Sequence, residues 1–399
     1  MIDRKDEKYN LRPFLDPPET KLLTEVPTIS LDEIDLSLFK YGEENISSRR
    51  QLAKTLENAI TTYGFFNITN IGYSWDKIEK LRSISQSLME IPEEEKLSFL
   101  SGAARKEDEE EYNEKRLGGE RGSGFKPKAY WKLKEDENGG VRDAITHYNF
   151  RDFLHHEIFQ NQQRHPQIVL DYKLEISDYF NFLHNVVIKK ILNLCDLILG
   201  LEEGFLFDSY FKIYQNEVEK SGGGHGRFML YEGRDDKQDI WLRGHSDISG
   251  FSIITSQPML SLQIFDYFTG KWSYVNHKPQ SLIVNIGDAL EFITGGYFKA
   301  CIHRVSEPPL DQRNHDRMVI IYFANPKKNS ILDPDPLNSK KLKELGFTRN
   351  QKLKDWEEIR FEDWNNAKGK TLGTKTVGYE NSQKIFGRFI ERWHQAETV

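Results

Sequence analysis

The spacing of hydrophobic positions changes character near residue 205. Before that point, apolar side chains recur at intervals of three and four residues, which predicts helices that pack on a core. The longest such run begins after Pro166 and continues to about residue 199. Shorter helices are predicted over about 47–62 and from Ser74 to a stop before Pro92, because the residue that precedes a proline disfavours the helical region.

After residue 205 the hydrophobic runs become short and β-like, with turn signals between several of them. The runs are RFMLY, GFSIIT, LSLQIFD, WSYV, SLIVNI, LEFIT, ACIHRVS and RMVIIYF. About eight short strands in roughly 120 residues indicate a sandwich or jelly roll rather than alternating βαβ units. The glycine-rich GGGHGR that precedes RFMLY lacks the spacing of a phosphate loop, and we interpret it as a flexible entry to that strand.

Beyond Pro326 the pattern is polar and helical again, and the last predicted helix spans about 381–395. These shifts divide the chain into an N-terminal helical and β segment (1–204), a jelly-roll catalytic core (205–330) and a helical extension (331–399) that packs on the core. The charge-dense segment 104–121 is expected to form a solvated or mobile loop, with an active-site lid as the alternative.

Composition narrows the classes of protein that this pattern allows. With 38% hydrophobic and 29% charged residues the chain is too apolar for a disordered protein, and its net charge of −7 argues against general nucleic-acid binding. The longest apolar run, 318–324, is far too short to span a membrane, and the charged N-terminus has no signal-peptide pattern. Two cysteines cannot form a disulfide framework, so we expect a cytoplasmic protein.

The residues with the most specific chemistry are His245 and Asp247, two positions apart, and His303, which lies in a later predicted strand. Residues i and i+2 of a strand project to the same face, so His245 and Asp247 can point together into the barrel mouth. His303 could then complete three ligands from another strand. Two imidazoles and one carboxylate on one face of a metal are the ligand set of non-haem Fe(II) oxygenases.

Other roles for these three residues remain open from the pattern alone. Histidine and aspartate at this spacing also occur as turn caps or surface ion pairs, and backbone groups can satisfy a buried histidine. A catalytic zinc ion bound by two histidines and one aspartate is a further alternative.

Over about residues 24–327 the sequence resembles the isopenicillin-N-synthase-like Fe(II)- and 2-oxoglutarate-dependent dioxygenases, in particular their fungal members. The matching segments follow the family order and include VPTISL, GFFNITNIG, LMEIPEEEKLSF, GSGFKPKAYW, VRDAITHYNF, RFMLY, GHSDISGFSIIT, SLIVNIGDALEFITGGYFKACIHRVSEPP and RMVIIYFANP. The resemblance implies a mixed α/β fold with a double-stranded β-helix (jelly-roll) core and flanking helices. It also implies that His245, Asp247 and His303 bind Fe(II), and that 2-oxoglutarate and O₂ serve to hydroxylate or desaturate a small organic molecule.

The resemblance further implies a binding site for 2-oxoglutarate. The family places an arginine, and a serine two residues later, on the strand after the second histidine; Arg317 and Val319 stand at these positions. Arg317 keeps the fork that pairs with a carboxylate, whereas Val319 has no hydroxyl, which predicts binding weaker by about tenfold or more. Tyr231 matches a tyrosine that binds the co-substrate, while Met229 replaces a frequent asparagine. Arg313 is a competing candidate, and a surface ion pair for Arg317 or a core role for Tyr231 are the alternatives.

The substrate contacts are only broadly indicated by the resemblance. Candidate wall residues, each of which could instead be a core or lid side chain, are Phe125, Lys126, Tyr130, Trp131, Tyr148, Phe251 and Phe292. Two other functions stay open. One is an Fe(II) oxidase of the same fold that does not use 2-oxoglutarate, which Val319 favours, and the other is a non-catalytic binding protein. The oligomeric state is not predicted.

Overall fold

The fold is described from a computed structural model over residues 4–101, 124–129, 132–134, 141–151, 153–161, 165–234, 240–267, 269–349, 353–369 and 384–390. The charge-dense segment 104–121 and two of the candidate wall residues, Tyr130 and Trp131, lie outside these ranges. The predictions made for them are therefore not addressed by the structure.

Two large, mainly antiparallel sheets form the centre of the described chain. The strands are β1 (Thr28–Ile29), β2 (Glu33–Asp35), β3 (Phe65–Thr69), β4 (Gly124–Lys126), β5 (Lys132–Lys134), β6 (Val141–Arg142), β7 (Ile145–Phe150), β8 (Gly223–Tyr231), β9 (Ile240–His245), β10 (Phe251–Thr255), β11 (Leu262–Asp266), β12 (Lys271–Val275), β13 (Leu282–Ile286), β14 (His303–Ser306), β15 (Arg317–Asn325), β16 (Lys384–Ile385) and β17 (Arg388–Phe389). One sheet has the order β2-β3-β13-β10-β15-β8-β7-β4 and the other β1-β12-β11-β14-β9, while β5 pairs with β6 and β16 with β17.

The two faces of the eight-stranded sheet pack against different partners. Along β15, Met318, Ile320 and Tyr322 belong to the large core shared with the helices. The alternate residues Val319 and Ile321 belong to a smaller apolar cluster that also contains side chains of β9 and β14. Because successive strand residues point to opposite faces, this division shows that the second face lines a space between the two sheets, here called the barrel interior.

Helices flank the sheets, and most of them contribute buried side chains to the large core on the outer face of the eight-stranded sheet. They are α1 (Arg4–Lys8), α2 (Ile46–Thr62), α3 (Trp75–Met89), α4 (Glu93–Leu97), α5 (His156–Asn161), α6 (Gln167–Asp171), α7 (Lys173–Phe182), α8 (Lys189–Leu199), α9 (Asp288–Ile293), α10 (Lys340–Leu345) and α11 (Phe361–Gly369). The long predicted helix is present as α6, α7 and α8. It is interrupted at Tyr172, between α6 and α7, and a π-helical turn, Leu183–Ile188, joins α7 to α8. The two shorter predicted helices correspond to α2 and α3.

The prediction that LEFIT forms a strand is wrong, because these residues belong to α9 and the turn that follows it. All six residues of α9 are buried, and a short segment that is buried on all sides does not distinguish a strand from a helix by its pattern. The strand β9, which carries His245, was in turn not among the predicted runs. Its sequence, IWLRGH, mixes polar and apolar residues, and most of its side chains are only partly buried.

Two further predictions need correction. The glycine-rich segment interpreted as a flexible entry is the first part of β8, and it pairs along its length with β15. The helix predicted over 381–395 is replaced, where the chain is described, by the hairpin of β16 and β17. Phe386 and Gly387 form its turn with φ of 52° and 74°, values that a helix does not allow.

The sheets and flanking helices confirm the predicted mixed α/β class. The eight-stranded sheet combines strands from before and after residue 205, and the division into three segments stays a prediction. Within the described residues, no helix is long and apolar enough to cross a membrane. Both cysteines, Cys195 and Cys301, are buried and free.

Candidate active site

The structure brings His245, Asp247 and His303 together at one end of the barrel interior. His245 ends β9, His303 begins β14, and the two are cross-strand partners. Nε2 of His245 lies 3.7 Å from Oδ1 of Asp247, and Nε2 of His303 lies 3.8 Å from its Oδ2. One ligand atom from each residue lies within 4.8 Å of the other two. Donors held about 2 Å from a common ion are separated by about 3–4 Å, so the three side chains fit one metal ion.

Both imidazoles are oriented by backbone carbonyls. Nδ1 of His245 lies 2.8 Å from the carbonyl oxygen of Arg243, and Nδ1 of His303 lies 3.2 Å from that of Cys301. A carbonyl only accepts hydrogen bonds, so we assign the proton of each neutral ring to Nδ1. Each Nε2 then presents its lone pair toward Asp247, which is the arrangement that a metal-binding histidine requires.

The carboxylate of Asp247 is held from the opposite side. Its Oδ2 accepts hydrogen bonds from Oγ of Ser252 at 2.6 Å and from Nδ2 of Asn285 at 2.9 Å. Burial raises the pKa of Asp247, but His303, His245 and these two hydrogen bonds outweigh burial and bring the pKa down to about 2. The side chain is therefore ionised at neutral pH, as a metal ligand must be.

A lysine from the C-terminal part of the chain supports the loop between the ligands. Nζ of Lys368 donates to the carbonyl oxygen of Ser246 at 2.9 Å, to its Oγ at 2.7 Å and to Oδ2 of Asp288 at 2.6 Å. Lys368 is fully buried, and Nε1 of Trp364 donates to the same oxygen of Asp288 at 2.9 Å. Ser246 stands between His245 and Asp247, and these three residues are here called the metal loop. Through Lys368, α11 therefore contacts the metal loop at Ser246.

At another place in the barrel interior, Arg317 and Tyr231 are cross-strand partners on β15 and β8. The guanidinium carbon of Arg317 lies 4.9 Å from the centre of the Tyr231 ring. Arg317 is 5% exposed, and within the described part of the chain it forms no ion pair. Burial lowers the pKa of Arg317, although Tyr231 opposes this effect. Arg317 is thus a buried cation beside a phenol, and among the described residues no carboxylate lies within ion-pair distance of it, although Asp16 acts on it from farther away.

The two departures from the family pattern, Met229 and Val319, are directly opposite each other on β8 and β15. Both belong to the apolar cluster of the barrel interior, together with Trp241 of β9. Nε1 of Trp241 is buried and has no hydrogen-bond partner among the described residues. Trp241 and Tyr231 line part of a small cavity. Met229 and Val319 therefore replace the two polar residues of the family as one cross-strand pair, in the same cluster as Trp241 with its unpartnered Nε1 donor.

The other predicted residues lie elsewhere. Phe125, Tyr148, Phe251 and Phe292 are fully buried members of the large core, which agrees with their alternative interpretation as core aromatics. Lys126 is buried and paired with Asp143. The competing arginine, Arg313, is bound to Glu307 with Nε 3.0 Å from Oε1.

Sequence reasoning missed two residues near the metal loop and the cavity. Lys368 is 122 residues away from Ser246, and no local pattern connects the two. Trp241 lies on the strand that the hydrophobic pattern did not reveal. The only available signal was its position four residues before His245, which places both on one face of a strand.

Two family models match the chain. Residues 223–326 match the 2OG-Fe(II) oxygenase superfamily, and residues 31–162 match the family described as non-haem dioxygenase in morphine synthesis N-terminal. Together the two regions span more than half of the chain. The first region contains all three residues of the triad and Arg317.

Similar proteins cover most of the chain at low identity. Leucoanthocyanidin dioxygenase of Malus domestica is 25% identical over 84% of this chain and 83% of its own length. The 1-aminocyclopropane-1-carboxylate oxidase 1 of the same species is 26% identical over 76% and 82%.

Solved structures share the fold at still lower identity. A Neurospora crassa protein in complex with alpha-KG and thymine has a TM-score of 0.64 and 19% identity, with 86% of this chain and 97% of that chain covered. JOX2 in complex with 2OG, Fe and JA has a TM-score of 0.63 and 19% identity over 94% and 95%. These likenesses confirm the double-stranded β-helix core.

The chain belongs to the 2OG-Fe(II) oxygenase superfamily. It is an oxidoreductase of the Fe(II)- and 2-oxoglutarate-dependent dioxygenase class, which requires Fe(II), 2-oxoglutarate and O₂. The donor set fits this metal, since neutral imidazole nitrogens and an ionised carboxylate suit Fe(II).

Proposed function

We propose that His245, Asp247 and His303 bind the Fe(II) ion, and that Arg317 and Tyr231 bind the distal carboxylate of 2-oxoglutarate. The enzyme then hydroxylates or desaturates a small organic molecule within the barrel interior. The observation that carries this proposal is the buried guanidinium of Arg317, for which the described chain supplies no ion-pair partner. A desolvated cation is costly unless it is paired, and a dicarboxylic co-substrate supplies the missing charge.

When bound, iron and 2-oxoglutarate together supply the oxidising chemistry, with O₂ consumed and 2-oxoglutarate converted to succinate and CO₂. The chain's own residues contribute position and environment. The carbonyl-bound imidazoles keep their lone pairs toward Asp247, and Ser252 and Asn285 restrain that carboxylate. The apolar cluster around Met229 and Val319 excludes water from the space beside Arg317.

A second candidate function is favoured by a specific observation. At both positions where the family has polar side chains, this chain has apolar ones, Met229 and Val319. The two face each other on β8 and β15. An Fe(II) oxidase of this fold that takes its electrons from the substrate would not need those polar groups. We rank this function second because Arg317 and Tyr231 are retained.

We also infer that the enzyme is an isopenicillin-N-synthase-like member of the superfamily, of the fungal type, and that it acts in the cytoplasm. The family order of segments such as GFFNITNIG and GHSDISGFSIIT supports the first inference. The two buried free thiols, Cys195 and Cys301, are typical of proteins in a reducing compartment and support the second.

The proposal is tested by the visible metal-to-ligand charge-transfer band of the protein loaded with Fe(II) and titrated with 2-oxoglutarate in the absence of oxygen. We expect a band that saturates. Arg317→Ala should weaken 2-oxoglutarate binding by about a hundredfold, since it removes charge-assisted hydrogen bonds from a buried site. Arg313→Ala is the matched control, because that arginine is bound to Glu307, and it should leave the titration unchanged.

The outcomes separate the alternatives. Iron binding without a band would contradict the use of 2-oxoglutarate and favour the oxidase. Failure to bind iron would contradict the assignment of the triad. A normal titration in Arg317→Ala would show that another residue holds the co-substrate.

A further inference from the structure

The first half of β8 places two basic side chains in the barrel interior. His225 and Arg227 alternate with glycines, and they share their face of the strand with Met229 and Tyr231, which belong to the interior cluster. Arg227 is opposite Ile321 of β15 and Asn149 of β7, so it lies on a central strand of the sheet.

Arg227 is held in position without being neutralised. Its Nε donates to Oδ1 of Asn149 at 2.7 Å, and its guanidinium lies 5.0 Å from the centre of the Phe323 ring. Both partners are uncharged. Among the described residues Arg227 forms no ion pair, and its two terminal nitrogens donate no hydrogen bond to the protein. The planar fork that binds oxyanions is therefore the unused part of this side chain.

The neighbourhood of Arg227 is electropositive. Burial lowers its pKa to about 10, with a further contribution from Arg151, whereas Tyr231 and Asp247 act in the opposite direction. Burial likewise lowers the pKa of His225 well below its usual value, and Arg151 and Arg227 add to this effect. Several basic groups thus share one region, and a charge there is incompletely solvated.

The strand register locates Arg227 relative to the metal site. Phe323, whose ring the guanidinium contacts, is the cross-strand partner of Ser252, and the hydroxyl of Ser252 donates to Asp247. The guanidinium therefore lies on the side of the barrel interior that faces the triad. Asp247 is already engaged by two histidines, Ser252 and Asn285, and it is assigned to the metal. It therefore does not serve as the counter-ion of Arg227.

A flat, apolar surface adjoins the guanidinium. The imidazole of His225 stacks on Phe323, with ring centres 4.5 Å apart and planes inclined by 19°. Phe323 thus contacts both His225 and Arg227. A cation beside a rigid aromatic surface matches a ligand that joins an oxyanion to a carbon skeleton.

We propose that Arg227 binds an oxyanionic group of the oxidised substrate, so that the substrate class is a small organic acid: a carboxylate, or a phosphate or sulfate ester. Phe323 and His225 contact the carbon skeleton next to that group. This proposal rests on the proposed function, because it assigns the substrate of the same metal site. It uses residues other than Arg317, which is assigned to 2-oxoglutarate.

The test is a binding experiment on the full chain loaded with Mn(II), a metal that replaces iron without turnover, at saturating 2-oxoglutarate. The probes are phenylacetate, methyl phenylacetate and phenyl phosphate, measured by calorimetry. We expect at least one anion to bind ten times or more tightly than the neutral ester. Arg227→Gln should abolish that preference, whereas Arg227→Lys should retain most of it. Stronger binding of phenyl phosphate than of phenylacetate would identify the ester as the ligand class.

The matched control is Arg304→Gln. Arg304 adjoins His303 in sequence but lies over the Trp272 ring at 4.2 Å and donates to Gln263, so it should not alter the preference. Equal binding of the ester and the acids, or no binding of either anion up to 10 mM, would overturn the proposal. A loss of 2-oxoglutarate binding in Arg227→Gln would also overturn it, since Arg227 would then serve the co-substrate.

The failure of this proposal is distinguishable from the failure of the proposed function. If no charge-transfer band forms with 2-oxoglutarate, the comparison of acid and ester is repeated on the metal-loaded protein in the Arg317→Ala background. A preference for the anion that still depends on Arg227 would uphold the oxyanion site, and its absence there would overturn it.

Discussion

The barrel interior has one end at His245, Asp247 and His303, where we propose the metal, and another at Arg317 and Tyr231, where we propose the co-substrate. These two ends, here called the metal end and the co-substrate end, are completed in different ways. At the metal end each group has a partner in the chain: the imidazoles bind backbone carbonyls, Asp247 binds Ser252 and Asn285, and Lys368 holds the loop. At the co-substrate end Arg317 contacts the ring of Tyr231 beside an apolar cluster, and it forms no ion pair with the residues that the structure describes.

This difference teaches which part of the site exists before its ligands bind. The proposed metal ligands are organised by strand pairing and by hydrogen bonds within the chain, so metal binding would require little rearrangement. The co-substrate end carries a buried charge that no ion pair of the described chain neutralises. Its stability and its function are therefore coupled to the binding of an anion.

The largest effect is expected from removing the charge at the centre of the metal end. Asp247→Ala should lower Fe(II) affinity by at least a hundredfold, because the anionic ligand is lost and only two neutral imidazoles remain. Anaerobic Fe(II) titration measures this change, and circular dichroism reports on folding. Asp355→Ala, at a carboxylate whose side chain is 80% exposed, is the control. Unchanged iron binding in Asp247→Ala would refute the assignment.

A smaller loss of Fe(II) affinity is expected from Lys368→Met, which tests whether the contact of Lys368 with Ser246 helps to order the metal ligands. The change leaves the buried carboxylate of Asp288 with Trp364 but without its cation, and breaking such a pair costs about 3–5 kcal/mol. We expect reduced stability in urea unfolding and about tenfold weaker Fe(II) binding in the variant that still folds.

The double variant Lys368→Met with Asp288→Asn separates two roles of the lysine: neutralising the charge of Asp288 and donating hydrogen bonds to Ser246. Removing both charges should restore part of the lost stability, since no uncompensated carboxylate remains. Iron affinity should stay low, because Ser246 is still without its donor. Recovery of full iron affinity would show that the lysine acts only through Asp288.

The smallest effect concerns the co-substrate end. Val319→Ser restores a hydroxyl near Arg317 and should strengthen 2-oxoglutarate binding by up to about tenfold, the value of one hydrogen bond to a charged group. The same change should lower the melting temperature, because the hydroxyl is buried when no ligand is present. Val319→Ala, which removes the methyl groups without adding a hydroxyl, should not strengthen binding.

Much of the architecture follows from patterns that can be seen in the chain itself. Helix periodicity predicted α2, α3 and the run from α6 to α8, and short apolar runs predicted most strands of the two sheets. LEFIT was misassigned because a fully buried segment has no alternation to reveal its period. The spacing of His245 and Asp247, together with His303, was sufficient to suggest the metal site.

The residues that the pattern did not reveal act through contacts between distant segments. Arg227 was hidden in a glycine-rich segment whose strand pairing with β15 is visible only in the structure. Met229 and Val319 were recognised as separate departures, but only the register makes them one pair. Lys368 reaches the metal loop through tertiary packing alone, which no local propensity encodes.

The position of Lys368 in the chain also bears on the order of events during synthesis. Chains leave the ribosome from the N-terminus, so the three metal ligands and both regions matched by the family models emerge before α11. A nascent chain, or one truncated just before residue 368, contains every ligand but lacks the lysine that holds their loop. Tight incorporation of iron is therefore expected as a late step, after α11 has folded against the barrel.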